Sequence, residues 1–250
     1  MKYRLGLVSV SFRTHSPEEI LRAMRAAGLT QIEWGSDVHA PCQDPKKLSA
    51  LAALQETYGV TCSSYGTYFT VGKDSTDGIG QYIDAAKRLG TTVLRIWCGT
   101  KSSKDYSEAE SAALFAQCRT LAEIAADEQV VLCLECHRNT YTDEADAALA
   151  LMRTVGSPHL QMYWQPEVIH TEAENCDYAA RLAAYIRHIH VFHWDANGRY
   201  PLCGAIAQWQ RYLHCLPDDK TLLLEFMPDD RLDSLPKEAA ALRKIAEALA

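Results

Sequence analysis

Apolar residues fall along this chain in two alternating rhythms. Short runs rich in Val, Ile, Leu and aromatic residues begin near Leu5, Gln31, Val60, Thr92, Val130, Leu160, His188 and Thr221, with the length and turn-forming borders of β-strands. Longer segments with helical spacing lie between them, and their ends are marked. Ser16 stands where a cap is needed, Pro17 fits a first turn, Glu18 and Glu19 suit the positive pole, and Gly28 stops the run. Asp44-Pro45 and Gly59 bracket the second segment, while Gly90 and Gly156 close the third and fifth, because glycine accepts the left-handed turn that ends a helix. A long Ala-rich helix is predicted from about Ser107 to Asp127, and a last one from Pro236 to Ala250.

Eight strand-plus-helix units follow one another without a linker or low-complexity tract. Strict alternation implies parallel strands, and eight units is the count that closes a barrel. The prediction is an α/β protein, a single-domain (β/α)8 TIM barrel over residues 1–250. The competing fold, an open doubly wound sheet, carries a Gly-rich phosphate loop after its first strand; here Ser9, Ser11, Phe12 and Arg13 occupy that place.

Composition narrows the function. Among 250 residues, 25 Lys+Arg face 32 Asp+Glu for a net charge of −7, and no basic run offers a nucleic-acid surface. No apolar stretch approaches the roughly 18 residues of a membrane span. The N-terminus lacks a signal-peptide pattern, and nine scattered cysteines read as reduced thiols, so a cytoplasmic protein is expected. Cys133 and Cys136 form a Cys-x-x-Cys, but three apart on a strand they point to opposite faces and do not chelate one metal without a turn. The oligomeric state stays open, a homo-oligomer included.

In such a barrel the chemistry sits where the strands end. Strand five places Glu135 after five apolar residues, and strand eight places Glu225 after Leu222-Leu223-Leu224. Strand seven puts His188 and His190 on one face and His193 on the other, and Gln165 stands at the tip of strand six. Taken singly, each is more often a paired or solvated side chain than a ligand. Together, two carboxylates, an imidazole and an amide oxygen on four successive strand tips make a donor set for one divalent cation.

These tips are joined by Ile32-Glu33-Trp34-Gly35 with Asp37 and His39 on strand two, Ser64-Tyr65-Gly66-Thr67-Tyr68 on strand three, and Leu94-Arg95-Ile96-Trp97 on strand four. In this order and spacing the whole chain resembles the xylose-isomerase-like barrel superfamily, in particular its sugar-phosphate isomerase/epimerase family. The resemblance implies one divalent metal (Mn, Mg, Co or Zn) held by Glu135, Gln165, His190 and Glu225. It also implies a small carbohydrate-like substrate contacted by Arg199, and proton abstraction beside a carbonyl through an enediolate, with Glu135 and Glu225 as the proton carriers. Arg95, His39, Glu33, Trp97 and His193 are further candidate substrate contacts. Arg95 is equally suited to pairing with Glu33, Trp97 to packing, and His193, by parity, to a supporting place.

Two departures stand out. Gln165 replaces the family's strand-six Asp, which leaves two carboxylates and predicts weaker metal binding. Tyr141 stands where ketose epimerases carry a substrate-binding acid, which argues against a free ketohexose. The leading expectation is a metal-dependent sugar isomerase/epimerase of carbohydrate metabolism. The alternatives are a dehydratase of the dehydroshikimate or inosose type, using the same proton abstraction followed by loss of water, and a non-catalytic barrel with a decayed metal site. Apurinic endonuclease chemistry shares the superfamily but needs three zinc ions and more ligands than these rims offer.

Overall fold

A computed structural model describes residues 3–247. Eight parallel strands close a barrel: β1 (Arg4–Val8), β2 (Gln31–Gly35), β3 (Thr61–Val71), β4 (Val93–Cys98), β5 (Val131–Glu135), β6 (Leu160–Trp164), β7 (Ile186–Val191) and β8 (Thr221–Leu224). Closure comes from β1, which pairs with β2 on one side and with β8 on the other, Arg4 beside Thr221. The helices that follow are α1 (Pro17–Ala27), α2 (Pro45–Tyr58), α3 (Ile79–Arg88), α4 (Glu108–Asp127), α5 (Ala145–Val155), α6 (Glu172–Leu182), α7 (Ile206–His214) and α8 (Leu235–Glu247). The predicted fold is the observed one. Residues 248–250 of the last expected helix lie outside the described residues.

Local chemistry explains the boundaries. Ser16 accepts from the Glu19 amide while Glu19 reaches back to the Ser16 amide, and Gly28 takes φ 68° at the other end of α1. The same reciprocal cap opens α4 through Ser107 and Glu110, and α6 through Thr171 and Glu174. Each satisfies two backbone donors that the first helical turn leaves without partners.

Two strands depart from expectation. β7 begins at Ile186, two residues early, because Ile186 pairs with Met162 before a register shift. β8 stops at Leu224, one residue short of Glu225, because Phe226 turns to φ 52°. Even so, the Glu225 amide donates to the Val191 carbonyl at 3.0 Å, so the residue remains tied to β7. β7 is followed by a two-stranded ribbon, Trp194–Asp195 against Gly198–Arg199.

The alternation of strand side chains makes two cores. Outward residues such as Leu132, Leu134, Ile189, Leu222 and Leu224 pack under the helices in one large apolar layer. Inside the barrel the apolar cluster is small: Val8, Val10, Val93, Cys133, Tyr163 and Leu223. Cys133 thus faces inward and Cys136 sits in the outer layer, as strand parity requires. Buried polar and charged side chains, among them Glu33, Ser64, Arg95, Glu135 and His190, share that interior.

Candidate metal centre

Glu33, Arg95, Glu135, His190 and Glu225 are all buried, although four of the five are charged residue types. Groups of this kind stay ionised out of water only in each other's company. Arg95 on β4 supplies the joint. Its Nε donates to Glu33 Oε1 at 2.9 Å and its Nη1 donates to Glu135. Gly66 on β3 makes room for this, since a Cβ there would lie 2.5 Å from Glu33 Oε1 and 2.8 Å from Arg95 Nη2.

His190 stands in the middle. Its Nδ1 lies 3.1 Å from Gln165 Oε1, 3.5 Å from Glu135 Oε1 and 3.6 Å from Glu225 Oε2. Ligand atoms of Glu135, His190 and Glu225 all fall within 4.8 Å of one another. Burial opposes a charged imidazole, but the Glu225 and Glu33 carboxylates, with Glu135 in contact, raise His190 to about 10. Glu135 and Glu225 part company. Burial would raise Glu135, yet Arg95 holds it below the usual carboxylate range, whereas burial and the charge of Glu135 raise Glu225.

These four donors fit a divalent ion. Two carboxylates, an imidazole nitrogen and an amide oxygen converge from the tips of β5 to β8, with ligand atoms of Glu135, His190 and Glu225 within 4.8 Å of one another and Gln165 Oε1 3.1 Å from the same nitrogen. A metal ion and a proton compete for such a nitrogen. The charge balance differs from the sequence-based count of two carboxylates. Glu33 adds a third and Arg95 a guanidinium, which again leaves two negative charges for a divalent ion to neutralise.

A cavity of about 130 Å³ opens above the cluster, lined by Glu135, Gln165 and Glu225 on its floor and by Arg95, Trp97, Trp194 and Phe226 on its walls. Trp194 stacks on Phe226 with ring centroids 5.3 Å apart. Val10, Arg13, Tyr68 and His137 complete the lining, and none of these four is among the sequence-predicted site residues. His137 lies two residues past Glu135, just beyond β5, where the Cys136 amide still donates to the Tyr163 carbonyl at 3.0 Å and carries the strand's course onward. Its Nδ1 lies 2.8 Å from the Arg138 carbonyl, which it reaches as a donor, leaving Nε2 as the free nitrogen. Arg13 was not legible, because nothing local says that the loop after β1 folds over the barrel mouth. Arg13 donates to Asp37 Oδ2 at 2.6 Å and to the Tyr68 hydroxyl at 2.7 Å.

Several candidate substrate contacts are placed elsewhere. Glu33 lies beneath the floor, fully enclosed and bonded to Arg95 and Ser64. Arg95 reaches the cavity edge but is committed to two carboxylates, which is the pairing alternative. His39 is buried in the loop after β2, with Nε2 3.1 Å from the His15 carbonyl and its ring against Trp34; it does not line the cavity. His193 lies beyond the end of β7, with Nδ1 2.9 Å from the Pro201 carbonyl and its ring beside Tyr200, so it too is outside the cavity. Arg199 pairs with Asp230 at 2.5 Å and lies 4.6 Å over the Phe226 ring, on the outer side of that wall. Tyr141 packs edge-on against Tyr106 and Phe115 in the outer layer, away from the cavity. No helix among the described residues is long and apolar enough to cross a membrane.

Known proteins share this architecture. Over 200 residues, covering 76% of this chain and 71% of the relative, the sequence is 29% identical to a 3-dehydroshikimate dehydratase of Bacillus anthracis. The crystal structure of a probable 3-DHS dehydratase involved in petrobactin synthesis in the same organism matches with a TM-score of 0.81 at 19% identity, over 96% of this chain and 98% of that one. An L-ribulose 3-epimerase matches with a TM-score of 0.73 at 17% identity, over 99% and 98%. A Mycobacterium smegmatis barrel solved in complex with magnesium matches at 0.70 and 14%, over 99% and 98%. At those identities the solved structures speak for the fold alone. The model of the xylose isomerase-like TIM barrel family matches residues 21–247, and the chain belongs to that family.

Proposed function

We propose that this protein is a metal-dependent dehydratase of a small cyclic hydroxy ketone carrying a carboxylate, of the 3-dehydroshikimate type. The reading rests above all on one observation: Glu135, Gln165, His190 and Glu225 converge beneath a small aromatic-walled cavity. The dehydratase relative, which aligns over about three-quarters of the chain, supports the choice among reactions that such a site can run. This exchanges the sequence expectation of an isomerase/epimerase for its first alternative.

A divalent ion at this point would act as a Lewis acid on a substrate carbonyl. The remaining work falls to the chain. Glu225 has His190, at 3.6 Å, as its one ion-pair neighbour among the described residues. It is therefore freer than the Arg95-bound Glu135 to take the proton from the carbon beside the carbonyl. Glu135, held by Arg95, stays ionised and fixed. His137 lines the cavity with Nε2 left as an acceptor that orients a substrate hydroxyl, and the proton taken up by Glu225 goes to the hydroxyl that leaves as water one carbon further on. Trp97, Trp194 and Phe226 match a flat ring and keep bulk water out. Arg13 sits at the mouth with two guanidinium hydrogens beyond those given to Asp37, Tyr68 and the Val10 carbonyl, in place for a substrate carboxylate.

The test is incubation of the purified protein with Mn2+ and 3-dehydroshikimate, followed by mass spectrometry. A catechol product lighter by one water supports the reading. An unchanged substrate, together with deuterium uptake at constant mass from a panel of ketoses and sugar phosphates, replaces it by the isomerase/epimerase alternative.

A further inference from the structure

His190 has two faces, and only one of them looks at the metal centre. Nδ1 points toward Gln165, Glu135 and Glu225. Nε2 is buried, makes no hydrogen bond, and faces Glu33 Oε2 at 3.6 Å. Glu33 is itself immobile: Arg95 holds Oε1 at 2.9 Å, and Ser64 Oγ donates to Oε2, the oxygen nearest His190, at 3.0 Å. Its side chain is fully enclosed, so water cannot stand in for it.

We infer that Glu33 is a positioning residue that fixes His190 in the tautomer protonated on Nε2, so that Nδ1 presents its lone pair to the metal. The inference rests on the metal reading of the site. The reason is electrostatic and steric together. With a divalent ion on the Nδ1 side to offset Glu135 and Glu225, the ring carries one proton, and the Glu33 carboxylate 3.6 Å from Nε2 keeps it there. The opposite tautomer would aim a lone pair at the Glu33 carboxylate and an N–H at the ion, which is repulsive at both ends. A carboxylate behind a ligating histidine also raises the basicity of its nitrogen and orients the ring. Arg95 couples this support to the ligand set, because the same guanidinium holds Glu33 with one nitrogen and Glu135 with another. One cation thereby sets the place of a ligand directly and of a second ligand through Glu33.

Two measurements test the assignment. The first is Mn2+ affinity of the full chain, read from the electron paramagnetic resonance of free Mn2+, for wild type and Glu33→Gln. The amide keeps the shape and removes the charge, and the expected loss is about 10- to 100-fold, the usual cost of removing a partner behind a ligating histidine. Wild type that binds Mn2+ and a folded Glu33→Gln that binds it equally well overturn the role of Glu33 while leaving the metal site intact. Wild type that binds no Mn2+ overturns the metal reading and this inference with it. The second measurement needs no variant: the 15N shifts of His190 in wild type loaded with diamagnetic Zn2+. A proton on Nε2 and the metal on Nδ1 support the assignment, and the reverse arrangement overturns it.

Discussion

The outer layer and the barrel interior are built from the same strands, often from adjacent residues, and are stabilised in opposite ways. Leu132, Leu134 and Ile189 face the helices in a layer that is apolar throughout. Cys133, Glu135 and His190, one residue away, face a barrel interior where charge dominates. The outer layer gains from area removed from water, which is non-directional and tolerates any apolar side chain of the right volume. The upper interior gains only from complementary charge in fixed geometry. Removing one partner there strands the others in a medium that cannot solvate them. One layer therefore specifies a scaffold, and the other a site.

Breaking the interior should reveal this contrast at several levels. Glu225→Gln is expected to lower turnover of 3-dehydroshikimate by about 10²- to 10⁴-fold, the usual contribution of a general acid or base. Its melting temperature should fall less than that of an Arg95 variant, since the carboxylate's one ion pair among the described residues is with His190 at 3.6 Å. Steady-state kinetics beside a thermal melt would check both halves. Arg95→Met leaves Glu33 and Glu135 buried without their shared cation, and should destabilise the fold by about 3–5 kcal/mol in urea titration. A cost near 1 kcal/mol would mean that water reaches the pair.

The outer layer should respond by volume alone. Leu132→Ala, at a fully buried position, is expected to cost about 3 kcal/mol, and Leu132→Met less than about 1.5 kcal/mol. The two urea midpoints distinguish a packing site from a polar one. The smallest effect belongs to the surface caps. Lys101 and the Ser107 amide and hydroxyl hold Glu110 down to about 2. Its folded value lies below its unfolded one, near 4.5. Its contribution is therefore complete above that pH and is lost as pH falls through about 2. A stability difference between wild type and Glu110→Gln at pH 6 should shrink below the unfolded value and vanish only once pH is below about 2.

Eight strands, eight helices and most helix ends were legible because their signals are local. Ser16, Pro17 and Gly28 act within a turn of themselves, and the apolar period is written directly in the chain. The strand-tip residues Glu135, Gln165, His190 and Glu225 were legible as a set because strand parity and barrel geometry put them on one rim. What misled was reading beyond the strands. Parity turns His193 away from the barrel and it does lie outside the cavity, beside Pro201 and Tyr200, but the ribbon after β7 sends Arg199 to Asp230 instead of the cavity. His39 lies in a loop whose path depends on His15 and Trp34.

By itself, then, the sequence determined the barrel, the rim at which its polar strand-end residues gather, and the four side chains that meet there, since all of these follow from period and order along one chain. Only the tertiary structure decided that Glu33 belongs beneath the site and not in it, that Arg95 bridges Glu33 to Glu135, and that Arg13 and His137 reach the cavity. Those relations join residues 62, 40 and more positions apart. They exist only once closure of the sheet brings strands two, four, five and seven around a shared, water-poor interior, where pairing between charges outweighs any preference written locally.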